Sequence, residues 1–437
     1  MFKRILSLVL AVLMIATMSF AFVSCGGATA DMTDAPIAKV ELKKDFEVPE
    51  DFKVGFILLH DEASTYDLNF INGVEKIKTV LGLTDSQVVY KKNIPESAAC
   101  TEAAEDLVDA GCDIIFADSF GHETYLLEAA KNHPEVQFCH ATGTMAHTEE
   151  LDNFHNAFAS IYEGRFLAGV AAGLKLNEMI KEGKITAEEA KMGYVGAYTY
   201  AEVISGYTSY YLGVKSIVPE VTMEVQFTGS WYHEIEEKNA ALALIRSGCV
   251  LISQHADSMG APSACEENNV PNVSYNGSTI ESCGKTFIVS SKIDWTPYFK
   301  LICEKTMNDE AIPADWTGTI STGSVALTDV NVNVAAEGTQ ATIDAVKAEL
   351  VAGTRKVFDT NNFTVTVVKD GDNKLNANAT VDENGRLTAY MADVDTDEAF
   401  TGDTNVVSDG YFHESEKRSA PYFDIQIDGI KLLNAKF

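Results

Sequence analysis

From residue 52 onward, short apolar runs alternate with longer stretches in which apolar residues recur at helical spacing. The short runs suit buried strands, and the stretches between them are typical of amphipathic helices. Strands alternating with helices indicate right-handed β-α-β units and therefore a doubly wound parallel sheet. The first block predicts strands at 54–59, 88–90, 113–117 and 136–139, and helices at 66–80, 96–110 and 123–132.

A long predicted helix at 161–181 separates this block from a second block of the same kind. The second block predicts strands at 192–195, 222–227, 250–253 and 272–275, and helices at 201–216, 234–247 and 261–268. We therefore expect an α/β protein with two lobes, each a doubly wound parallel sheet, joined at a hinge. Ligands of such sheets bind beyond the carboxyl ends of the strands, which here face a cleft between the lobes.

The expected boundaries follow from these blocks. Lobe I is predicted at 51–157, with 287–318 returning to it, and lobe II at 158–286, with part of 319–358. The pattern changes beyond residue 316, and 359–437 is expected to form an acidic C-terminal extension with short strands. Within this last part of the chain, the pattern predicts strand-like segments at 320–333 and 357–368, a helix at 341–351, a surface loop at 391–409, and a strand or hairpin at 422–433.

The N-terminus has the pattern of an export signal. Two basic residues, Lys3 and Arg4, precede an apolar run over 5–23, which ends at Ser24-Cys25-Gly26-Gly27. This order is typical of a signal peptide over 1–24 that is cleaved before a lipidated Cys25. An uncleaved membrane anchor is the alternative, since the run is nearly long enough to span a bilayer. We expect a lipid anchor (palmitate) on the extracytoplasmic face of the cell membrane, followed by a flexible tether over 25–50.

Charge and cysteine usage narrow the classes of partner. The chain has a formal net charge of −31, so phosphate backbones would repel it and nucleic acid is not expected as a partner. Seven cysteines besides Cys25 are scattered without a C-x-x-C pair, which argues against zinc ribbons and thioredoxin-like motifs. Those in apolar runs are expected to be small buried hydrophobes.

Polar and aromatic clusters follow nearly every predicted strand. Aromatic faces stack on a ligand ring, while carboxylates and amides bond its polar edge, so the clusters suit a flat, hydroxylated solute. Single residues have simpler explanations, since Tyr66 can be a packing residue and Asp67 a helix cap. The residues that we expect to bind ligand are Tyr66, Asp67, Asp118, Phe120, Tyr198, Tyr200, Trp231, Asp257, Asn276 and Lys292.

The chain also resembles a known family over roughly residues 52–358. The stretches that carry the likeness are KVGF at 53–56, NAFASIYEGRFLAGVAAG at 156–173, GSWY at 229–232, SSK at 290–292 and AELVAGTRK at 348–356. Together they are similar to the basic membrane protein family of ABC-transporter substrate-binding lipoproteins. The resemblance implies a periplasmic-binding-protein type I fold, purine-nucleoside binding, and a membrane permease with its ATPase as partners.

The same resemblance assigns roles to several residues. Tyr66 stands where the family has a ring-stacking Phe, and Asp67 stands where it has an Asn. Tyr198 or Tyr200 falls near the second stacking aromatic, and either Asp118 or Phe120 near a third contact. Lys292 matches the cleft lysine of the family, whereas Asn276 replaces an Asp used on the ribose. Because Asn donates where Asp only accepts, the altered positions leave the solute open.

Enzyme motifs are absent from the sequence. There is no G-x-S-x-G, Walker A, H-E-x-x-H or strand-associated G-x-G-x-x-G pattern, and neither His140 with His147 nor His255 with Asp257 has metal-ligand spacing. We expect no cofactor, no metal and no enzymatic activity. Two alternatives remain, a ligand sensor of the same fold that feeds a signalling partner, and a surface-anchored nucleoside-processing enzyme.

Overall fold

The computed structural model describes residues 48–370, 374–394 and 402–434. Cys25, the expected signal peptide and nearly all of the expected tether therefore lie outside the described residues. Within the described ranges, no helix has both the length and the apolar character needed to cross a membrane.

Lobe I is built on a parallel sheet with the strand order β11-β5-β4-β3-β1-β2. Its central strands are apolar because helices cover both faces of the sheet, and all four residues of β1 are buried. Helix α1 begins after Ser64, whose Oγ accepts the Asp67 N–H, and ends at Gly82 in a left-handed conformation. The elements of this lobe are β1 (Val54–Ile57), α1 (Thr65–Leu81), β2 (Val88–Lys91), α2 (Ala98–Asp109), β3 (Ile114–Ala117), α3 (Glu123–Asn132), β4 (Gln137–Ala141), α4 (Ala146–Glu149) and β5 (Phe154–Ala159).

Lobe II has the strand order β12-β10-β9-β8-β6-β7-β18, parallel except for β12. Gly169 and Gly213 let α5 and α6 pack closely, because a Cβ at either position would collide with a backbone carbonyl of the facing helix. The elements are α5 (Ile161–Lys181), β6 (Lys191–Gly196), α6 (Ala201–Lys215), β7 (Thr222–Phe227), α7 (Glu234–Arg246), β8 (Leu251–Gln254), α8 (Gly260–Asn268), β9 (Asn272–Tyr275), α9 (Ile280–Cys283) and β10 (Phe287–Ile293).

The return of the chain to lobe I occurs later than the sequence predicted. Strand β10 pairs with β9 and so belongs to lobe II, although 287–318 was assigned to lobe I. Only α10 (Thr296–Met307) and β11 (Asp315–Gly318) join lobe I, where β11 pairs with β5. The chain then re-enters lobe II at β12 (Val325–Leu327) and α11 (Thr339–Val351). Strand β9 directly precedes β10 in the chain, but the apolar pattern of β10 did not show which of the two sheets it joins.

The described part of the C-terminal extension contacts both lobes. Strand β18 (Ile430–Asn434) pairs in parallel with β7 of lobe II. On the lobe I side, the Ser419 N–H donates to Asp315 Oδ2 at 2.7 Å. The other strands of the extension are β13 (Ala379–Val381), β14 (Leu387–Ala392), β15 (Thr404–Asn405), β16 (Val407–Ser408) and β17 (Tyr411–Phe412).

Some sequence predictions for this region are wrong. Residues 357–368 form no regular strand. Their apolar side chains are buried in the extension, as a strand pattern predicts, but their backbone is irregular. The predicted strand-like segment at 320–333 forms a strand only at β12. The predicted loop at 391–409 contains the end of β14 and the short strands β15 and β16, with 395–401 outside the described residues. Seven cysteines are free thiols in buried positions, as expected.

Candidate ligand-binding cleft

A cleft lies between the carboxyl ends of the strands of the two lobes. About 370 Å³ of empty space, part of it open to solvent, separates the side chains that line it. Lobe I contributes Leu59, His60, Tyr66, Asp67, Ser119, Phe120 and Thr142, and lobe II contributes Glu202, Trp231, His255, Asp257 and Tyr275.

On the lobe I wall, Tyr66 and Asp67 stand in the first turn of α1. The Tyr66 hydroxyl donates to the backbone carbonyl of Asp118 at 2.8 Å, which fixes its ring against the wall. Asp67 Oδ1 accepts the His60 N–H at 2.7 Å. The Asp67 N–H also donates to Ser64 Oγ, so Asp67 follows the cap of α1 and is not itself the cap.

Asp67 and Asp118 form a buried carboxyl pair with different pKa values. Burial and the neighbouring Asp67 raise the pKa of Asp118 well above its usual range. Burial alone would raise the pKa of Asp67, but hydrogen bonds from His60 and Ser64 hold it below its usual value. Two like charges this close disfavour joint ionisation. The pair therefore presents one charged carboxylate, Asp67, to the cleft.

Aromatic rings form the mouth of the cleft. The Tyr198 and Tyr200 rings stack with centroids 5.1 Å apart, and the Tyr198 ring meets Trp231 edge-on at 5.0 Å. Phe120 of lobe I lies 5.3 Å from Tyr200 of lobe II. This contact joins the lobes through two partly exposed rings that a bound solute can also touch.

Asp257 lines the deep part of the cleft, and Asn276 lies behind it. The Asn276 amide donates to Asp257 Oδ1 at 3.3 Å, and its Oδ1 lies 3.5 Å from the Asn69 amide nitrogen of lobe I. Asn276 has a φ of 65°, a left-handed conformation that Asn tolerates better than most residues. Burial, followed by the charges of Glu237 and Asp67, raises the pKa of Asp257 well above its usual range.

The ten predicted site residues fall into four groups. Tyr66, Asp67, Phe120, Trp231 and Asp257 line the cleft directly. Asp118 and Asn276 lie behind it, and Tyr198 and Tyr200 belong to the aromatic mouth. Lys292 is buried within β10 and is not among the described residues that border the cleft.

Sequence reasoning missed a charged network behind the lobe II wall. Arg165 of α5 is buried and donates to the Gln254 carbonyl at 3.0 Å and to His255 Nδ1 at 3.1 Å. The other nitrogen of His255, Nε2, lies 3.2 Å from Glu202 Oε1, and Glu202 lines the cleft. His255 follows β8, as the strand-end clusters suggested, whereas Glu202 lies in the first turn of a predicted helix and was not singled out. Arg165 sits in an apolar helix, where only its charge is a signal.

The two α/β lobes, with a cleft at their strand ends lined by rings and carboxyl groups, define the class of a solute-binding protein. A solute-binding protein of an ABC transporter system from Conexibacter woesei has the same fold. Its TM-score is 0.56 at 19% identity, and the match covers 70% of this chain and 98% of that one. The expected α/β, periplasmic-binding-protein type I fold is thereby confirmed.

A sequence profile described as "Bmp: ABC transporter substrate-binding protein PnrA-like" matches residues 58–353, more than half of the chain. The chain belongs to this family and is a substrate-binding protein of an ABC transporter, not an enzyme. A purine-binding protein of Brucella abortus is 29% identical over 269 residues, 61% of this chain and 72% of that protein. A Haloferax volcanii protein named for ABC-transporter glucose binding is 30% identical over 235 residues, 53% of this chain and 56% of that protein.

Proposed function

We propose that this protein captures a purine nucleoside or a closely similar ring compound outside the membrane and delivers it to an ABC importer. The observation that carries the proposal is the lining of the cleft. Rings from both lobes, Tyr66 and Trp231, border the same space as the carboxyl groups of Asp67, Glu202 and Asp257. Rings favour stacking on a flat heterocycle, and carboxylates accept hydrogen bonds from hydroxyl and amino groups.

The charge of the lining favours a neutral or cationic solute. Of the described residues that border the cleft, three are acidic and none is Lys or Arg. A phosphate or carboxylate on the solute would bring a second negative charge into a site without a facing cation, which is costly away from water. We therefore expect nucleosides to bind and nucleoside monophosphates to be rejected.

The relatives support this choice of solute without requiring it. The Brucella protein is named for purine binding and the Haloferax protein for glucose. A nucleoside joins a purine to a sugar, and both parts suit a cleft that combines rings with carboxylates. Glucose therefore belongs among the solutes to be tested.

The N-terminal sequence supports a lipid-anchored receptor at the extracytoplasmic face of the cell membrane. Cys25 would carry the lipid after removal of 1–24, and 25–50 would hold the lobes near a permease and its ATPase. Mass spectrometry of the N-terminal peptide from membranes tests the anchor. A diacylated Cys25 peptide is expected, together with a soluble, secreted Cys25→Ser variant. An intact peptide that begins at Met1 would contradict the proposal.

Native mass spectrometry and calorimetric titration test the solute. The protein lacking residues 1–25 would be titrated with adenosine, guanosine, inosine, glucose and guanosine monophosphate. We expect saturable binding of at least one nucleoside at one site per chain, with guanosine monophosphate at least tenfold weaker than guanosine. Binding of glucose alone would replace the proposed solute, and binding of none of the probes would refute it.

A further inference from the structure

The Arg165, His255 and Glu202 side chains form one continuous network across lobe II. Arg165 comes from α5, His255 follows β8, and Glu202 stands in the first turn of α6. Arg165 also lies over the Tyr275 ring, with its guanidinium carbon 3.3 Å from the ring centroid. Gly206 faces this network, because a Cβ there would lie 3.2 Å from His255 Nδ1. A side chain at position 206 would therefore press against the His255 ring.

The donors in this network determine the tautomer of His255. A guanidinium can only donate, so His255 Nδ1, 3.1 Å from Arg165 Nη2, must accept. The ring is therefore neutral, in keeping with the lowering of the pKa of His255 by burial. Its proton lies on Nε2, which donates to Glu202 Oε1 at 3.2 Å.

Arg165 is connected to the Glu202 carboxyl group through His255. A buried guanidinium needs a nearby negative charge. The described hydrogen-bond partners of Arg165 are a carbonyl and a neutral ring, so the nearest carboxylate in this network is Glu202, reached through His255. One Glu202 oxygen accepts a hydrogen bond from His255. The remaining lone pairs of the carboxyl group can accept hydrogen bonds from a solute in the cleft that Glu202 borders.

We propose that Glu202 is a specificity-determining residue, which accepts a hydrogen bond from an N–H or O–H group of the solute. Arg165 and His255 are positioning residues, which hold the Glu202 carboxyl group in place. This inference rests on the proposed function and adds to it the hydrogen-bonding chemistry that the solute must offer at this point of the cleft.

Paired solutes and a paired variant test the role of Glu202. Inosine is compared with 1-methylinosine and with 2′-deoxy-, 3′-deoxy- and 5′-deoxyinosine, each of which lacks one donor. One of these analogues lacks the group that donates a hydrogen bond to Glu202. With the wild-type protein, that analogue should bind about 10- to 100-fold more weakly than inosine, the range for a hydrogen bond to a charged group. With Glu202→Gln, inosine itself binds more weakly and loss of that one donor changes the affinity less than threefold. Glu236→Gln, on the exposed first turn of α7, is the matched control and should behave as wild type.

A rescue experiment tests the positioning residues. In His255→Gln, the new side chain can accept a hydrogen bond from Arg165 with its oxygen and donate one to Glu202 with its nitrogen. This variant should therefore bind inosine with an affinity within about threefold of the wild-type value. His255→Leu can do neither and should weaken binding at least tenfold. Melting temperatures of both variants show whether the lobes remain folded. Equal weakening in two folded variants would refute the positioning role.

A spectroscopic measurement tests the network without any solute. Long-range nitrogen–proton correlation spectra should show the neutral His255 ring with its proton on Nε2 in the wild-type protein, and a changed tautomer ratio in Arg165→Met. A proton on Nδ1 in the wild-type protein would overturn the inference. If no nucleoside binds the wild-type protein, the proposed function fails; if inosine binds wild type and Glu202→Gln equally, only this inference fails.

Discussion

Thr65 of lobe I donates both its backbone N–H and its hydroxyl to the backbone carbonyl of Asp257 of lobe II, each at 3.1 Å. These two hydrogen bonds connect the first turn of α1 to the opposite wall of the cleft. Because hinge opening must break these bonds, they stabilise the arrangement in which both walls can contact one solute.

Thr65→Val removes the hydroxyl bond and keeps the shape of the side chain. Loss of one neutral hydrogen bond costs about 1 kcal/mol, so we expect the solute dissociation constant to rise about fivefold. Calorimetric titration with the best-binding nucleoside measures it. The control is Thr79→Val, in which an exposed residue of the same helix loses only a bond to the Glu75 carbonyl. Equal affinities for the two variants would contradict the role of the Thr65 contact.

Phe423 tests whether the C-terminal extension is part of the folded unit. Its ring is fully buried and stacks on Phe358 with centroids 4.2 Å apart. Phe423→Ala should lower the free energy of unfolding by about 3–5 kcal/mol, whereas Val332→Ala, at an 81% exposed side chain, should change it by less than about 0.5 kcal/mol.

Denaturant unfolding of Phe423→Ala should remain a single transition, because β18 is a strand of the lobe II sheet. Circular dichroism and tryptophan fluorescence, recorded on the same samples, measure this cooperativity. A separate early transition of the extension, with the main transition unchanged, would show that the extension folds independently.

Glu414 makes stability depend on pH. It is buried beside Arg418, its Oε2 accepts the Tyr422 N–H at 3.2 Å, and burial raises its pKa from 4.5 to about 8. Between these values the folded protein holds a proton that the unfolded chain has lost. The contribution of Glu414 is therefore fully present below pH 4.5, falls as the pH rises, and is lost above about 8.

Glu414→Gln removes this titration. Across that window the free energy of unfolding of the wild-type protein should fall relative to the variant, by at most about 1.4 kcal/mol per pH unit. Urea denaturation at several pH values, with the exposed Glu383→Gln as control, measures the difference. Parallel pH profiles for wild type and Glu414→Gln would mean that Glu414 is ionised in the folded protein.

The sequence alone predicts the elements that depend on local periodicity. The long helix over 161–181 has its predicted bounds, and Trp231, which follows β7, lines the cleft. Strand pairing was the main source of error: β10 was placed in the wrong lobe, because an apolar strand does not reveal which sheet it joins. Arg165 was missed because its partners Gln254 and His255 are distant in sequence and only the tertiary fold brings them together.

Trp231 offers the most direct measurement of the central claim, that a solute binds in the cleft between the lobes. It is one of three tryptophans and lines the cleft, whereas Trp295 is buried in the lobe I core and Trp316 lies on β11. The measurement is a fluorescence titration of wild type, Trp231→Phe and Trp316→Phe with the nucleoside that binds best. We predict a saturable change in wild type and Trp316→Phe, and loss of that change in Trp231→Phe, whose phenyl ring still supports binding measured by calorimetry. A change that survives in Trp231→Phe and disappears in Trp316→Phe would place the solute outside the cleft and contradict the account.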